Sequence, residues 1–331
     1  MHTLFEIYNV NKEVPGIISE LIKTEAMTRL KDIGMNCGCE YTSFPQFKNI
    51  GPYSRFSHSL GAALIVWNFT GETNQAVAAL FHDISTPVFA HTIDFMYGDY
   101  MSQEYTEKST ESVIRASSGI LEILDRHCVD VADVCDYHRY PVADNSSPKL
   151  SADRLEYTIG NMINYGLATF DEAKRLYDDL SVEITEDGSD ELVFSSLDDA
   201  ERFAFLSLEC SKIYVSDADR YSMQMLSEIT ARAIAKGVIS TGDLYTDENN
   251  VISKFKSDEE ISRMWSGYCS MSEVLRDENA RDDRARIIDA KKRFIDPYVS
   301  GRGRVSTLCG QYRDALGTFL DTSFSYPVSA K

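Results

Sequence analysis

Arg55-Phe56-Ser57-His58-Ser59-Leu60-Gly61 is the stretch from which the rest of the chain is read. It sets a histidine in an apolar-patterned segment, and Phe81-His82-Asp83 and Asp153-Arg154-Leu155-Glu156-Tyr157 share that character further on. Together His58, His82, Asp83 and Asp153 have the composition of a divalent-metal shell. Imidazole nitrogen with carboxylate oxygen suits Fe, Mn, Zn, Co or Ni better than Mg or Ca, which prefer all-oxygen shells. Neighbours on a helix point about 100° apart at ~3.6 residues per turn. An ion shared by His82 and Asp83 therefore sits off the helix flank, with His58 and Asp153 closing the shell from other helices. An octahedral ion would keep two positions for a water and a phosphate oxygen. The bland alternative is that these histidines merely pack inside a helical domain.

Composition narrows the function classes. A chain of 331 residues, 43% hydrophobic and 26% charged, is long enough for one large core or two domains and is not of disordered type. Its apolar runs are shorter than the ~20 residues a membrane span needs, and the opening Met1-His2-Thr3-Leu4 lacks a basic region followed by an apolar one. A cytoplasmic protein is expected. The seven cysteines are scattered without CxxC pairs, so neither a disulfide framework nor a thiolate zinc site is favoured. A net charge of −19 argues against broad nucleic-acid binding, which needs clustered Lys and Arg. A small anionic substrate stays possible where a few cations focus in one cleft. Arg55, Lys149 and Arg154 lie beside the ligand candidates and can do this, or else serve as solvated surface charges.

Apolar spacing predicts helices over 13–33, 56–69, 75–83, 104–124, 130–137, 150–165 and 170–180, with a loop over 43–53. Ser85-Thr86-Pro87 breaks the third of these, which places the His82-Asp83 pair beside a flexible, open edge. Residues 181–184 and 192–194 alternate around Asp187-Gly188 and predict a small β-hairpin. A long helical run of one or two helices follows over 198–236, then a cap and short helix over 243–255. Beyond residue 281 the signal is weakest.

Taken in order, Arg55 to Gly61, Ala79-Leu80-Phe81-His82-Asp83-Ile84 and Ala152-Asp153-Arg154-Leu155-Glu156-Tyr157 resemble the HD-domain phosphohydrolase superfamily. Within it they are similar to the deoxynucleoside triphosphate triphosphohydrolase-like branch. Thr28-Arg29-Leu30-Lys31-Asp32-Ile33 resembles the family's entry helix, and Leu244-Tyr245-Thr246-Asp247 a segment near the end of its helical core. The resemblance implies an all-α fold: an HD-domain helical bundle over 12–260, with the hairpin as an insertion and 261–331 as a C-terminal extension. It implies that one divalent transition metal is held by His58, His82, Asp83 and Asp153. It also implies cleavage of a phosphate ester or anhydride of a nucleotide or related small molecule by a metal-activated water. Asp83, His91 and Arg55 match the catalytic groups. Arg55, Arg154 (where a lysine is usual), Tyr157 and Tyr214 match substrate contacts. His91 enters through Thr86-Pro87-Val88-Phe89-Ala90-His91, similar to the family's His-Gly-Pro-Phe-Ser-His. A homo-oligomer is expected by the same analogy. His2, His127 and His138 match no motif, and structural or incidental roles are expected.

The departures from the family pattern matter equally. Thr86 stands for the first histidine after the HD pair, and Thr106 for the histidine of a His-Glu motif. Threonine does not donate a proton at neutral pH as imidazole does. Met35 replaces a sugar-contacting glutamine and Asn161 an aspartate, which weakens selection for a deoxyribose. These changes raise a second reading, a non-catalytic HD-domain protein that binds metal or nucleotide as a sensor or interaction module. The intact ligand set favours hydrolysis.

Overall fold

Ser54 starts the helix that carries His58: its Oγ accepts the Ser57 N–H at 3.3 Å, and helix Arg55–Thr70 runs from there to Gly71. Gly71 closes it at φ 70°, a left-handed conformation that glycine adopts without strain. The chain then reverses into helix Thr73–Phe81, whose Ala76, Ala78 and Ala79 let it lie close against Ala62 and Ala63 of its predecessor. The structure is a computed structural model and describes residues 4–8, 13–98, 101, 109–276 and 285–331. It is mostly helical, with a few small strands.

Helix Ala152–Asn164 crosses the Arg55–Thr70 helix at Gly61, where an added Cβ would come within 2.6 Å of Glu156 Cγ. Gly160 does the same for Tyr53, with its hydroxyl 2.5 Å from the position of an added Cβ. Two small residues thus bring three segments into contact around Glu156. Two apolar clusters flank this crossing. One gathers Leu64, Leu80, Leu155, Ile159 and Phe203, the other Phe44, Phe89, Ile229, Phe255 and Trp265. Fully burying each such side chain contributes about 1.5–3 kcal/mol.

The expected hairpin forms as β1 (Leu180–Ile184) and β2 (Asp190–Phe194), paired antiparallel from Leu180↔Phe194 to Ile184↔Asp190. It then grows beyond expectation. β3 (Val274–Arg276) lies elsewhere, while β4 (Tyr298–Val299) pairs parallel to β2 and β5 (Gly303–Arg304) antiparallel to β4, giving a four-stranded sheet. β6 (Val328–Ala330) returns to pair with β3. The C-terminal segment, where the sequence signal is weakest, is therefore tied to the hairpin by the β2–β4 pairing and to itself by β4–β5 and β3–β6.

Several predicted helices are broken. The run 13–33 divides into Gly16–Leu21, Glu25–Arg29 and a single 3-10 turn, Leu30–Asp32. Thr24 interrupts it by turning its hydroxyl onto Leu21 O at 2.7 Å. The described part of 104–124 divides at Ser117, which caps helix Ser118–Arg126, and Glu104, Thr106 and Glu107 lie outside the described residues, as does His2. The run 198–236 becomes Leu197–Tyr214 and Asp217–Ala235, because Ser216 caps the second through the Asp219 N–H at 3.3 Å. Among the described residues no helix is long and apolar enough to cross a membrane.

Candidate metal centre

Each candidate ligand sits at a helix end. His58 is in the first turn of its helix, and His82 and Asp83 follow directly on helix Thr73–Phe81. Asp153 opens helix Ala152–Asn164, which Ser151 caps through the Arg154 N–H at 3.3 Å. All four candidates converge. His58 Nε2 is 3.0 Å from His82 Nε2, 3.0 Å from Asp153 Oδ1 and 3.9 Å from Asp83 Oδ2. His82 Nε2 is 3.5 Å from Asp153 Oδ1 and 3.6 Å from Asp83 Oδ2. His58, His82 and Asp83, all buried, offer donor atoms within 4.8 Å of one another.

The far sides of the rings explain the orientation. His82 Nδ1 lies 2.7 Å from Ala79 O, and His58 Nδ1 lies 2.6 Å from Glu156 Oε2. Holding Nδ1–H in this way leaves the Nε2 lone pairs for a cation. Glu156 in turn accepts from the Tyr53 hydroxyl. The sequence reading gave Glu156 no role, although its spacing of three residues from Asp153 puts both on one helix face. Asp83 is braced on both oxygens, by Arg55 at 3.0 Å and by the Thr86 hydroxyl at 2.7 Å. Thr86 thus helps to position the Asp83 carboxylate.

Electrostatics follow from these contacts. Burial raises the Asp83 pKa, but Arg55 and the two histidines outweigh it and hold the carboxyl well below the usual carboxylate range. Asp153 is held low against burial, chiefly by its hydrogen bond with His58. Burial lowers His58, yet its bonds to Asp153 and Glu156 prevail and push it up to about 10. Glu156 is raised by burial in spite of His58. Two imidazole nitrogens and two ionised carboxylates in one buried cluster fit a borderline divalent metal.

The centre opens into a cavity of about 320 Å³. The presumed open edge after Asp83 is closed: Ile84, Ser85, Thr86, Val88, Phe89 and Ala90 are all buried. Phe89 and Ala90 are both left-handed, at φ 63° and 45°, an arrangement that costs non-glycine residues on the order of 1–3 kcal/mol each. Phe89 is wedged in a stack with Phe255 and Trp265, which holds this conformation and delivers His91 to the cavity wall. His91 Nδ1 is 2.8 Å from Asp94 Oδ2, and its pKa is lowered by burial, which outweighs Asp94.

The remaining expected residues divide. Tyr157, Tyr214, Met35 and Asn161 line the cavity, and Asn161 donates to the Tyr214 hydroxyl at 2.8 Å. His138 also lines it, 2.7 Å from Asp144. His127 instead meets Glu20 at 3.0 Å. Arg154 reaches the wall, but both terminal nitrogens hold the 144–149 loop, through Asp144, Asn145 and the Lys149 carbonyl. Lys149 is neither at the site nor solvated. It is buried and turns to the hairpin, donating to Ser189 Oγ at 2.9 Å and pairing with Asp187.

No family model matches the chain. It is 27% identical over 291 residues to the uncharacterized protein YdhJ of Bacillus subtilis (strain 168), covering 86% of this chain and 85% of that protein. It is 26% identical over 219 residues to the metal-dependent phosphohydrolase cns2 of Cordyceps militaris, covering 66% of this chain but only 59% of that protein. The solved structure of a phosphohydrolase from Bacteroides thetaiotaomicron is similar with a TM-score of 0.66 at 15% identity, over 96% of each chain. At that identity the likeness shows a shared fold.

Proposed function

We propose that this chain is a metal-dependent phosphohydrolase of the HD-domain superfamily, similar to its deoxynucleoside triphosphate triphosphohydrolase-like branch with altered sugar contacts. One observation carries the reading: His58 Nε2, His82 Nε2 and carboxylate oxygens of Asp83 and Asp153 converge from three helices, with both Nδ1 atoms anchored elsewhere. The names of the cns2 relative and of the Bacteroides structure support the same chemistry. The substrate class is a nucleotide or another small phosphate compound, which suits a cavity lined by Tyr157, Tyr165 and Tyr214 beside Asn161.

His58, His82, Asp83 and Asp153 would hold one divalent ion, Fe, Mn, Zn, Co or Ni before Mg. When bound, such an ion supplies Lewis acidity toward a phosphate oxygen and acidifies a water. The protein's own groups do the rest. Arg55 stays cationic against burial because Asp83 sits beside it, and it neutralises charge at the reacting phosphate. Asp94 orients His91, whose protonated ring gives its proton to the leaving oxygen as negative charge gathers there and is left as neutral imidazole. The Tyr157 and Tyr214 rings, 6.3 Å apart, shape the wall that the organic part of the substrate packs against.

Elemental analysis and a phosphoester panel on one preparation test this. The expected result is about one metal per chain and phosphate release that His82→Ala and Asp83→Ala abolish. Binding of a nucleotide that stays intact in the metal-loaded protein would instead favour the sensor reading, which the Thr86–Asp83 contact motivates. A metal-free, inert protein would leave only a helical domain with packed histidines.

A further inference from the structure

Four aspartates line the cavity, and three of them have basic partners: Asp83 pairs with Arg55, Asp144 with Arg154 and Asp153 with His58. Asp219 differs. Among the described residues, the one hydrogen bond to its carboxyl comes from the Cys39 thiol, a weak donor, 3.8 Å from Oδ2. Arg220 follows it in the chain but turns elsewhere, donating to Val215 O at 3.1 Å, to Asp217 Oδ1 at 2.6 Å and to the Ile288 carbonyl. Burial therefore outweighs Cys39 and Arg220 and pushes the Asp219 carboxyl well above the usual carboxylate range. Helix capping does not account for the residue either. Ser216 caps helix Asp217–Ala235 through the Asp219 N–H, but a reciprocal bond from the Asp219 side chain is blocked, because the Ser216 N–H already serves Ile213 O at 3.0 Å.

The wall between Asp219 and the candidate metal centre suits a flat ring. The Tyr157 ring lies 6.4 Å from the His58 ring and 6.3 Å from the Tyr214 ring, centre to centre. Tyr165 carries the wall on toward Asp219, which acts on it electrostatically, and its hydroxyl donates to Asn36 Oδ1 at 3.1 Å. Asn161 lines the same cavity at 6% exposure, and its Oδ1 has no hydrogen-bond partner among the described residues. Aromatic faces stack on bases of any sequence. Acceptors left short of a donor in such a place call for a ligand that brings N–H or O–H groups.

We propose that Asp219 is the base-reading residue of this cavity, accepting a hydrogen bond from an N–H on the edge of a nucleobase that stacks along the tyrosines. The proposal deepens the phosphohydrolase reading, on which it rests for the phosphate end of the ligand: it selects nucleotides over other small phosphate compounds. A carboxyl keeps at least one acceptor oxygen whether or not it carries a proton, so a base N–H satisfies it in either state. A base stripped of that N–H leaves the acceptor buried and unanswered, and sites built around a polar partner reject such analogues strongly.

The test titrates adenosine and purine riboside, which lacks only the ring amine, by calorimetry into the full-length protein as purified. Neither probe has a phosphate to cleave, so the result stands apart from hydrolysis. Wild type is expected to bind adenosine about ten- to a hundredfold more tightly than purine riboside. Asp219→Ala is expected to bind both alike, at the weaker level, while Asp219→Asn, which keeps an acceptor, stays within several-fold of wild type for adenosine. The wild-type comparison needs no variant and decides the matter where Asp219→Ala does not fold. Preference for adenosine in a protein that hydrolyses no phosphoester supports the base contact and removes the hydrolytic reading alone. Phosphoester hydrolysis without that preference keeps the hydrolytic reading and overturns the base contact. Wild type that binds neither nucleoside, or Asp219→Ala that discriminates as wild type does, also overturns it.

Discussion

His58 Nε2 and His82 Nε2 lie 3.0 Å apart, while their Nδ1 atoms face away toward Glu156 and Ala79 O. Two imidazole nitrogens at that distance share either a proton or a cation. The Asp83 and Asp153 carboxylates, both held ionised, make a cation the better occupant. A chelator that strips it is expected to lower Tm, because a ligand bound only by the folded state stabilises it by mass action. Identical melting curves for metal-loaded and chelator-treated protein would contradict this.

Glu156→Gln tests the support beneath the ligands. Glu156 touches His58 Nδ1 and the Tyr53 hydroxyl, so the substitution leaves every candidate ligand in place but weakens the ring's anchor. Metal affinity is expected to fall about ten- to a hundredfold, as for other outer partners of ligating histidines. A competition titration against a chromophoric chelator measures it, and an unchanged constant would show that His58 needs no such anchor.

Gly61→Ala tests the helix crossing. The new methyl would lie 2.6 Å from Glu156 Cγ and Oε1, within buried surroundings that have little room to move. Overpacking of this kind costs about 1–3 kcal/mol, and the shift of Glu156 should carry His58 with it. Denaturant melts and metal content should fall together. Lost stability with full metal content would separate the crossing from the centre.

Glu40 and Glu248 flank Gly34, and both carboxyls are raised, Glu40 to about 8, by burial first and by mutual repulsion second in the case of Glu40. An unfolded glutamate titrates near ~4.3, so between that value and the raised one the folded state binds the extra proton. Stability from this group is therefore lost as pH rises through that window. Glu40→Gln is expected to recover on the order of 1 kcal/mol at about pH 9 and to flatten the decline of Tm from about pH 5 upward. Parallel pH profiles for the two proteins would rule the pair out as its cause.

Arg154→Gln separates structure from substrate contact. Its guanidinium ties Asp144, Asn145 and the Lys149 carbonyl, so the substitution is expected to cost about 1–3 kcal/mol of stability while metal content stays near wild type. If stability is unchanged while phosphate affinity collapses, Arg154 belongs among the substrate contacts read from the sequence.

Local signals in the chain determined a good deal. Ser54 and Ser151 mark helix starts, Gly71 an end and Asp187-Gly188 a turn, because each acts on backbone within about four residues of itself. The residue types of His58, His82, Asp83 and Asp153 were legible as a candidate ligand set for the same reason: donor chemistry belongs to the side chain. Tertiary structure alone decided which groups meet. Glu156 reaches His58 across 98 residues because Gly61 has no side chain to keep the helices apart. Lys149 leaves the centre for the hairpin, Arg154 turns onto its own loop, and residues near 290, silent in periodicity, arrive over the cavity through anchors to Glu228, Arg220 and Pro148. Burial and long-range pairing select those partners, and neither is written in the spacing of neighbours along the chain.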